Sequence, residues 1–452
     1  MRPGQSSSPA VRDQWASRAG FVIATLGAAV GLGNIWRFSY VVGENGGGAF
    51  LLVYFACVLI VGLPLMLAEF ALGRRARADM VTAFRALETS RAWAAAGLVA
   101  MLAAFLILSY YAVVAGWTVK YLADYGRGAP IGADAASVQA YFKAFTGDPL
   151  QPIAWQAVFL GLSTVVVAAG VERGIERSSR VLMPLLAAIV LALAAYSLTL
   201  GAAERGLRFL FAPDWSALSR PGLYLAALGQ AFFSLGVGLG VLATYSSYVD
   251  TRSRMAPAAL AIGLGDTVFA IVAGVAIFPA VFAFGLDPAH GPALAFVTLP
   301  EVFARMTGGR AVGVAFFLLL AAAALTSAVS LLEVPVAFLV RRRGWQRSRA
   351  AAATGAAAFL AGLPSALSFG VLETVQVSGK GVLEATDWLA SNVLLPIGGI
   401  AIAVYVGWAW RSEEALAQAG IDDAGLERLW LAAIRVIAPI AILVMLGGML
   451  LA

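Results

Sequence analysis

Gly27-Ala28-Ala29-Val30-Gly31-Leu32-Gly33-Asn34 lies inside an apolar run, residues 21–42, that is otherwise long enough to be a membrane helix. Glycine in a helix interior costs about 1 kcal/mol relative to alanine. Three glycines beside an asparagine therefore predict that the helix opens here. Inside a bilayer, opened backbone leaves N–H and C=O groups without partners. That is tolerated only where protein or a polar cavity meets them. The stretch thus predicts a membrane protein with a cavity at its centre.

Composition agrees. The 452 residues are 61% hydrophobic and only 12% charged, which points to a polytopic membrane protein. The formal charge of +6 is spread over short loops between apolar runs, so it does not indicate nucleic acid. A single cysteine, Cys57, excludes an internal disulfide framework, and a single histidine, His290, argues against a zinc site. Residues 1–16 are polar and lack the apolar core of a cleavable signal peptide. No metalloprotease, P-loop or nucleophile-elbow pattern occurs, and no nucleophile–base set can be assembled, so the chain is not read as an enzyme. Nothing in it calls for an obligate protein partner.

About eleven apolar runs could cross a core of ~30 Å, which takes about 20 residues each. They lie near 17–42, 48–73, 94–123, 153–171, 181–201, 223–248, 257–286, 310–340, 350–371, 387–410 and 429–451. Arginines cluster in alternate connections: Arg12 and Arg18, Arg74 to Arg91, Arg173 to Arg180, Arg252 and Arg254, and Arg341 to Arg349. Those connections are expected in the cytoplasm. The N-terminus is then cytoplasmic and the C-terminus extracytoplasmic.

A second interruption, Phe232-Phe233-Ser234-Leu235-Gly236-Val237-Gly238-Leu239-Gly240, breaks the sixth run as 27–34 breaks the first. The two broken runs open two successive sets of five, and an odd set size makes the second set enter from the opposite side. Matched interruptions in inverted halves point to a transport site at the membrane midplane. The expected division is a cytoplasmic segment at 1–16, a first five-helix repeat at 17–201, and a second, inverted repeat at 202–410 with an outer loop at 287–309. A cytoplasmic loop and the eleventh span complete the chain at 411–452. The fold class is all-α and polytopic.

Asp266 falls about ten residues into its run, ~15 Å deep at 1.5 Å per residue. A carboxylate there costs at least ~2.5–3.5 kcal/mol and so calls for a cation, a proton or a partner. Asn34, Thr326 and Ser327 supply neutral oxygens at similar depth, and hard cations such as sodium prefer oxygen ligands. Glu69 and Glu333 lie nearer the cytoplasmic ends of their runs and are read as fixing structure or a gate. Arg37 and Asp387 are expected at the outer vestibule. Gly174 and Pro184, ten positions apart, mark a place where a helix is easily unwound.

Taken together, Arg12-x-x-Trp15, Gly27 to Phe38, Glu44-Asn45-Gly46-Gly47-Gly48-Ala49-Phe50, Gly62-Leu63-Pro64 with Glu69, Gln230-x-Phe232-Phe233-Ser234-Leu235 and Leu325-Thr326-Ser327 closely resemble the signatures of neurotransmitter:sodium symporters. The resemblance covers essentially the whole chain, and its short tail looks like the bacterial branch. It implies the fold of the bacterial leucine transporter, a 5+5 inverted repeat with helices 1 and 6 broken, in the bacterial inner membrane. It also implies sodium-driven amino-acid uptake by alternating access.

The resemblance implies the following site residues. A first sodium is held by Ala29 carbonyl, Asn34, Ser234, Asp266 and the substrate carboxylate. A second is held by Gly27 and Val30 carbonyls, Ala323 carbonyl, Thr326 and Ser327. The substrate carboxylate meets the Leu32 and Gly33 amides and the Tyr111 hydroxyl, where a half-helix N-terminus favours negative charge. Its ammonium faces carbonyls of Ala29, Phe233 and Ser234. Ile107, Tyr111, Phe233, Gly236, Leu239, Ser327 and Leu331 line the side-chain pocket. Arg37 and Asp387 form the outer gate, with Phe233 as an aromatic lid. Arg12 and Trp15 belong to the inner gate, while Gly174 and Pro184 unwind to open the inner path.

Departures refine these expectations. Many relatives carry asparagine where this chain has Asp266, and Ala270 stands at the chloride-site position. Asp266 is therefore expected to supply the charge that chloride gives elsewhere, making transport chloride-independent. Arg341 replaces the usual inner-gate aspartate, leaving Glu333 as the expected partner of Arg12. Gly31 stands where monoamine carriers hold an aspartate and leaves room for a substrate carboxylate. Gly236 and Leu239 enlarge the pocket, which suggests a hydrophobic, and in particular an aromatic, L-amino acid. A proton-coupled carrier of the same fold is the nearest alternative and an ion channel a more distant one.

Overall fold

The computed structural model describes residues 14–87, 91–132, 134–250, 254–286 and 294–451. Among them, eight helices are long and apolar enough to cross a membrane: Gly48–Ala76, Ala92–Arg127, Gln151–Ala168, Val171–Ser197, Met255–Ala283, Gly309–Arg343, Val382–Ala409 and Ala424–Gly448. A ninth span is a pair, Arg18–Ala29 and Gly33–Glu44, bent by 51° at the break between them. The two remaining expected runs are present in other forms. Residues 221–246 fold as two short helices, and Arg347–Ala366 is an alanine-rich helix whose first turn carries Arg347 and Arg349.

In chain order we label the principal helices α1 (Arg18–Ala29), α2 (Gly33–Glu44), α3 (Gly48–Ala76), α4 (Ala92–Arg127), α5 (Gln151–Ala168), α6 (Val171–Ser197), α7 (Pro221–Leu235), α8 (Val241–Ser246), α9 (Met255–Ala283), α10 (Gly309–Arg343), α11 (Arg347–Ala366), α12 (Val382–Ala409) and α13 (Ala424–Gly448). Helix α6 starts ten residues before the run that predicted it, because the arginines and glutamates of 171–180 make a polar first turn that apolarity alone does not register. The outer connections are not bare loops. They carry helices Ala135–Gly147, Ala203–Phe211 and Thr298–Arg305, and a two-stranded hairpin pairs Gln376–Val377 with Lys380–Gly381.

The long helices α4 and α10 pack along each other, with α5 and α11 beside them. The broken helices occupy the middle: α1 touches α6, α9 and α10, while α7 and α8 lie on α3. Water does not drive such contacts in a bilayer, so close approach depends on small residues. At Gly73 a Cβ would sit 2.0 Å from the Ala243 carbonyl oxygen, which lets α3 and α8 meet backbone to backbone. Apolar side chains such as Val165, Val268 and Leu429 point outward and are exposed, as a surface facing lipid requires.

Candidate functional site

Helix α1 stops at Ala29 because Val30 turns to extended backbone (φ −72°, ψ 101°), and the chain resumes as helix at Gly33 in a π register. The groups released by the break find partners from other helices. Gly31 N donates to Asn34 Oδ1 (3.0 Å) and Leu32 N to the Tyr111 hydroxyl (3.2 Å). The Ala28 carbonyl accepts from Ser327 Oγ (3.0 Å), and Val30 carbonyl lies 3.5 Å from Thr326 Oγ1. The second break spans 236–240, where Gly236, Gly238 and Gly240 all have positive φ (62°, 90° and 74°). Only glycine adopts that region freely, so the helix unwinds between α7 and α8.

Asp266 sits between the two breaks and is fully buried. Its Oδ1 accepts from Asn34 Nδ2 (2.6 Å), and its Oδ2 accepts from Ser234 Oγ (2.6 Å) and from the Tyr54 hydroxyl (3.5 Å). Among the described residues no basic side chain comes within 4.0 Å of it. A buried carboxylate met only by neutral donors is an attractive place for a small cation. Three of the four residues expected at the first sodium site, Asn34, Ser234 and Asp266, are thus joined by hydrogen bonds, and Ala29 lines the adjoining cavity with Ser234.

Residues of the second expected site meet between α1 and α10. Thr326 Oγ1 donates to Ala323 carbonyl (2.9 Å) and lies near Val30 carbonyl, while a Cβ at Gly27 would lie 3.4 Å from Thr326 Cβ. These are all oxygen donors or glycine, the chemistry a hard cation selects.

Beside both clusters is a small cavity of about 50 Å³. Ala29, Gly31, Gly33, Ile107, Tyr111, Phe233, Ser234, Gly236, Leu239, Ser327 and Leu331, which the resemblance implies for the substrate pocket, line it. Leu32 instead faces the neighbouring outer space. Leu235, Val241, Leu242 and Ser330 also line the cavity and were not expected from the sequence. Ser330 is one helical turn from Ser327, so helical periodicity was a usable signal for it. The others depend on how the unwound segment turns.

A vestibule of about 460 Å³ adjoins the cavity, and Gly33, Tyr111 and Phe233 line both. Phe233 therefore stands in the partition. The Arg37 guanidinium lies over its ring, 4.4 Å from the centroid. Asp387 accepts from the Tyr110 hydroxyl (2.6 Å). Arg37 and Asp387 share the vestibule but form no ion pair within 4.0 Å in this structure.

Residues 12–125 and 148–451 match the Sodium:neurotransmitter symporter family. The chain belongs to that family. A sodium-dependent transporter of Bacillus subtilis, YhdH, is 39% identical over 434 residues, covering 95% of this chain and 96% of its own length. A sodium-dependent transporter of Haemophilus influenzae is 33% identical, covering 96% and 97%. The crystal structure of MhsT in complex with L-phenylalanine is 52% identical and superposes with a TM-score of 0.91, covering 97% of this chain and 99% of that one. The fold is leucine-transporter-like, and the activity is sodium-coupled transport through a membrane rather than catalysis.

Other expected residues of this symporter lie away from the cavity. Glu69 is fully buried and accepts from Gly238 N (3.0 Å) and Ala243 N (3.3 Å), so its carboxylate holds the unwound segment and the first turn of α8. At the arginine-rich end, Trp15 Nε1 donates to Tyr245 carbonyl (2.8 Å), and the Trp15 ring meets Tyr245 edge-on at 5.1 Å. Arg12 lies outside the described residues. Glu333 is fully buried and is engaged by the Tyr248 hydroxyl (2.5 Å) and by Arg347 of α11. Arg341 donates to Ser247 Oγ (2.9 Å) and lies over the Tyr248 ring. Gly174 falls in the π-helical start of α6, Val171–Glu176, and Pro184 falls inside the regular helix that follows. The stretch is helical throughout, with its start in a π register.

Proposed function

We propose that this symporter imports hydrophobic L-amino acids, aromatic ones included, by alternating access, with two sodium ions and without chloride. One observation carries the reading: Asp266, uncompensated by any nearby basic group, lies where both broken helices release backbone groups beside a mostly apolar cavity. Sodium ions neutralise that region, the freed amides of 32–33 and the Tyr111 hydroxyl take the substrate carboxylate, and carbonyls of Ala29, Phe233 and Ser234 take its ammonium.

The size of the site supports this. A Cβ at Gly31 would lie 2.4 Å from Ser327 Oγ and 3.0 Å from the Tyr111 hydroxyl, so the protein has no room there for an acid of its own. The substrate must bring its carboxylate with it. The MhsT complex holds L-phenylalanine in a protein of the same architecture. Ala270, buried and apolar, offers nothing to a chloride ion. The arginine-rich ends of the helices support a reading with the N-terminus in the cytoplasm and the C-terminus outside a bacterial inner membrane.

Uptake of radiolabelled amino acids into proteoliposomes tests this. A sodium gradient should drive accumulation of Leu, Phe or Trp, and choline in place of sodium should abolish it. Gluconate in place of chloride should leave it unchanged. Accumulation driven by a pH gradient alone, or preference for glycine or GABA over the large apolar amino acids, would overturn the reading.

A further inference from the structure

Glu176 ends the π-helical start of α6 and is the residue from which its regular part, Arg177–Ser197, begins. It is 1% exposed. Its Oε2 accepts from Ala16 N (2.7 Å), and its Oε1 lies 3.5 Å from Ser17 Oγ and is paired with Arg180. Ser17 is the N-cap of α1, accepting from Gly20 N (2.9 Å). A Cβ at Gly20 would lie 1.8 Å from Glu176 Oε1, so the carboxylate occupies the space that glycine leaves on α1. One buried negative charge therefore sits at the N-terminal end of α1, where the dipole favours it, and is held there from the second turn of α6.

Those two helices carry the local irregularities at this end of the molecule, the break that ends α1 and the π turn that starts α6. Helix α1 is the half-span on the arginine-rich side of the first break. The start of α6 carries the π turn, Gly174 packed so closely that a Cβ would lie 2.0 Å from Val166 carbonyl oxygen, and Pro184 a few turns on. A π turn bonds i to i+5 rather than i to i+4 and is frequent at functional sites.

We propose that Glu176 is a positioning residue that couples these movements. Rearrangement of 171–184 carries the carboxylate off Ala16 and releases α1, and outward displacement of α1 in turn frees α6 to unwind. The inference rests on the alternating-access reading above and adds to it a named contact through which the inner opening is controlled.

The test uses the full-length protein in inside-out vesicles, with Cys57→Ser and Ala24→Cys to place a single reporter on the buried face of α1. Labelling by a membrane-impermeant maleimide is followed in sodium and in potassium. In the parent, sodium should slow labelling; a rate indifferent to sodium would defeat the alternating-access reading and this inference with it. Given that protection, Glu176→Gln should raise the rate in sodium about tenfold, the effect of weakening one charged contact by 1.4 kcal/mol. It should also raise the KM for sodium without lowering kcat, and Glu176→Asp should restore part of the protection. Gly20→Ala, which displaces the carboxylate but keeps it, should act in the same direction, and the double variant should label no faster than either single one. Ala16→Pro, which deletes the donor, replaces Gly20→Ala if that variant does not fold. Parental labelling by a folded, substrate-binding Glu176→Gln protein would overturn the proposal, as would strictly additive effects of the two lesions.

Discussion

The hydroxyl of Ser234 donates to the carboxylate of Asp266 across 2.6 Å, joining the end of α7 to the middle of α9. The same carboxylate takes the Asn34 amide from α2, so three elements that bound the site are tied at one buried acid. In the proposed reading its charge is the feature on which ion binding depends.

Replacing Asp266 with asparagine keeps the shape and removes that charge. Sodium affinity should fall by at least about tenfold, in keeping with the ~1.5–3 kcal/mol typical of a bond to a charged group. Sodium-dependent binding of labelled substrate at fixed pH measures it. Unchanged sodium affinity would remove Asp266 from the ion site.

Gly31→Ala should leave the protein folded and damage only binding. The added methyl meets the Ser327 hydroxyl and the Tyr111 hydroxyl, both inside the cavity. Displacing the Tyr111 hydroxyl from the substrate carboxylate costs about 1.5–3 kcal/mol, the range for a hydrogen bond to a charged group, so substrate KM should rise roughly 10- to 150-fold. Thermal stability without substrate serves as the control and should move little.

Glu69 should matter to stability before it matters to chemistry. Glu69→Ala strands the buried amides of Gly238 and Ala243, at about 1–3 kcal/mol for each unsatisfied group. The melting midpoint in detergent should drop, and Glu69→Gln, which keeps an acceptor, should recover part of it. Equal stability of the alanine variant and the parent would show that the contact is dispensable.

Arg37 and Asp387 face one vestibule without touching, while Arg37 rests on Phe233 and Asp387 on Tyr110. If they close over bound substrate, a double-mutant cycle of Arg37→Lys and Asp387→Asn should show coupling of about 1 kcal/mol in kcat/KM. The same cycle on the thermal stability of the substrate-free protein should show almost none. Coupling of equal size in both measurements would mean a static pair.

The membrane architecture and the positions of both helix breaks were legible because their signals are local. Apolar run length, glycine spacing and an acid inside an apolar run are each contained within a few turns. The residues 27–34, 232–240 and 266 carried the site for that reason, and the family signatures added Ile107, Tyr111 and Leu331, which no local rule distinguishes from other buried apolar positions. Helix α6 began earlier than its apolar run because a polar first turn is invisible to hydropathy.

The sequence by itself determined a bundle of membrane helices opened twice at matched points around a carboxylate, since backbone propensity and the cost of charge in lipid act on neighbouring residues. Only the tertiary structure decided which groups those openings face: Glu69 at Gly238, Glu176 at Ala16, Arg37 above Phe233. These partners are about 160 to 200 positions apart in the chain, and their meeting is set by how whole helices pack, which no short stretch encodes.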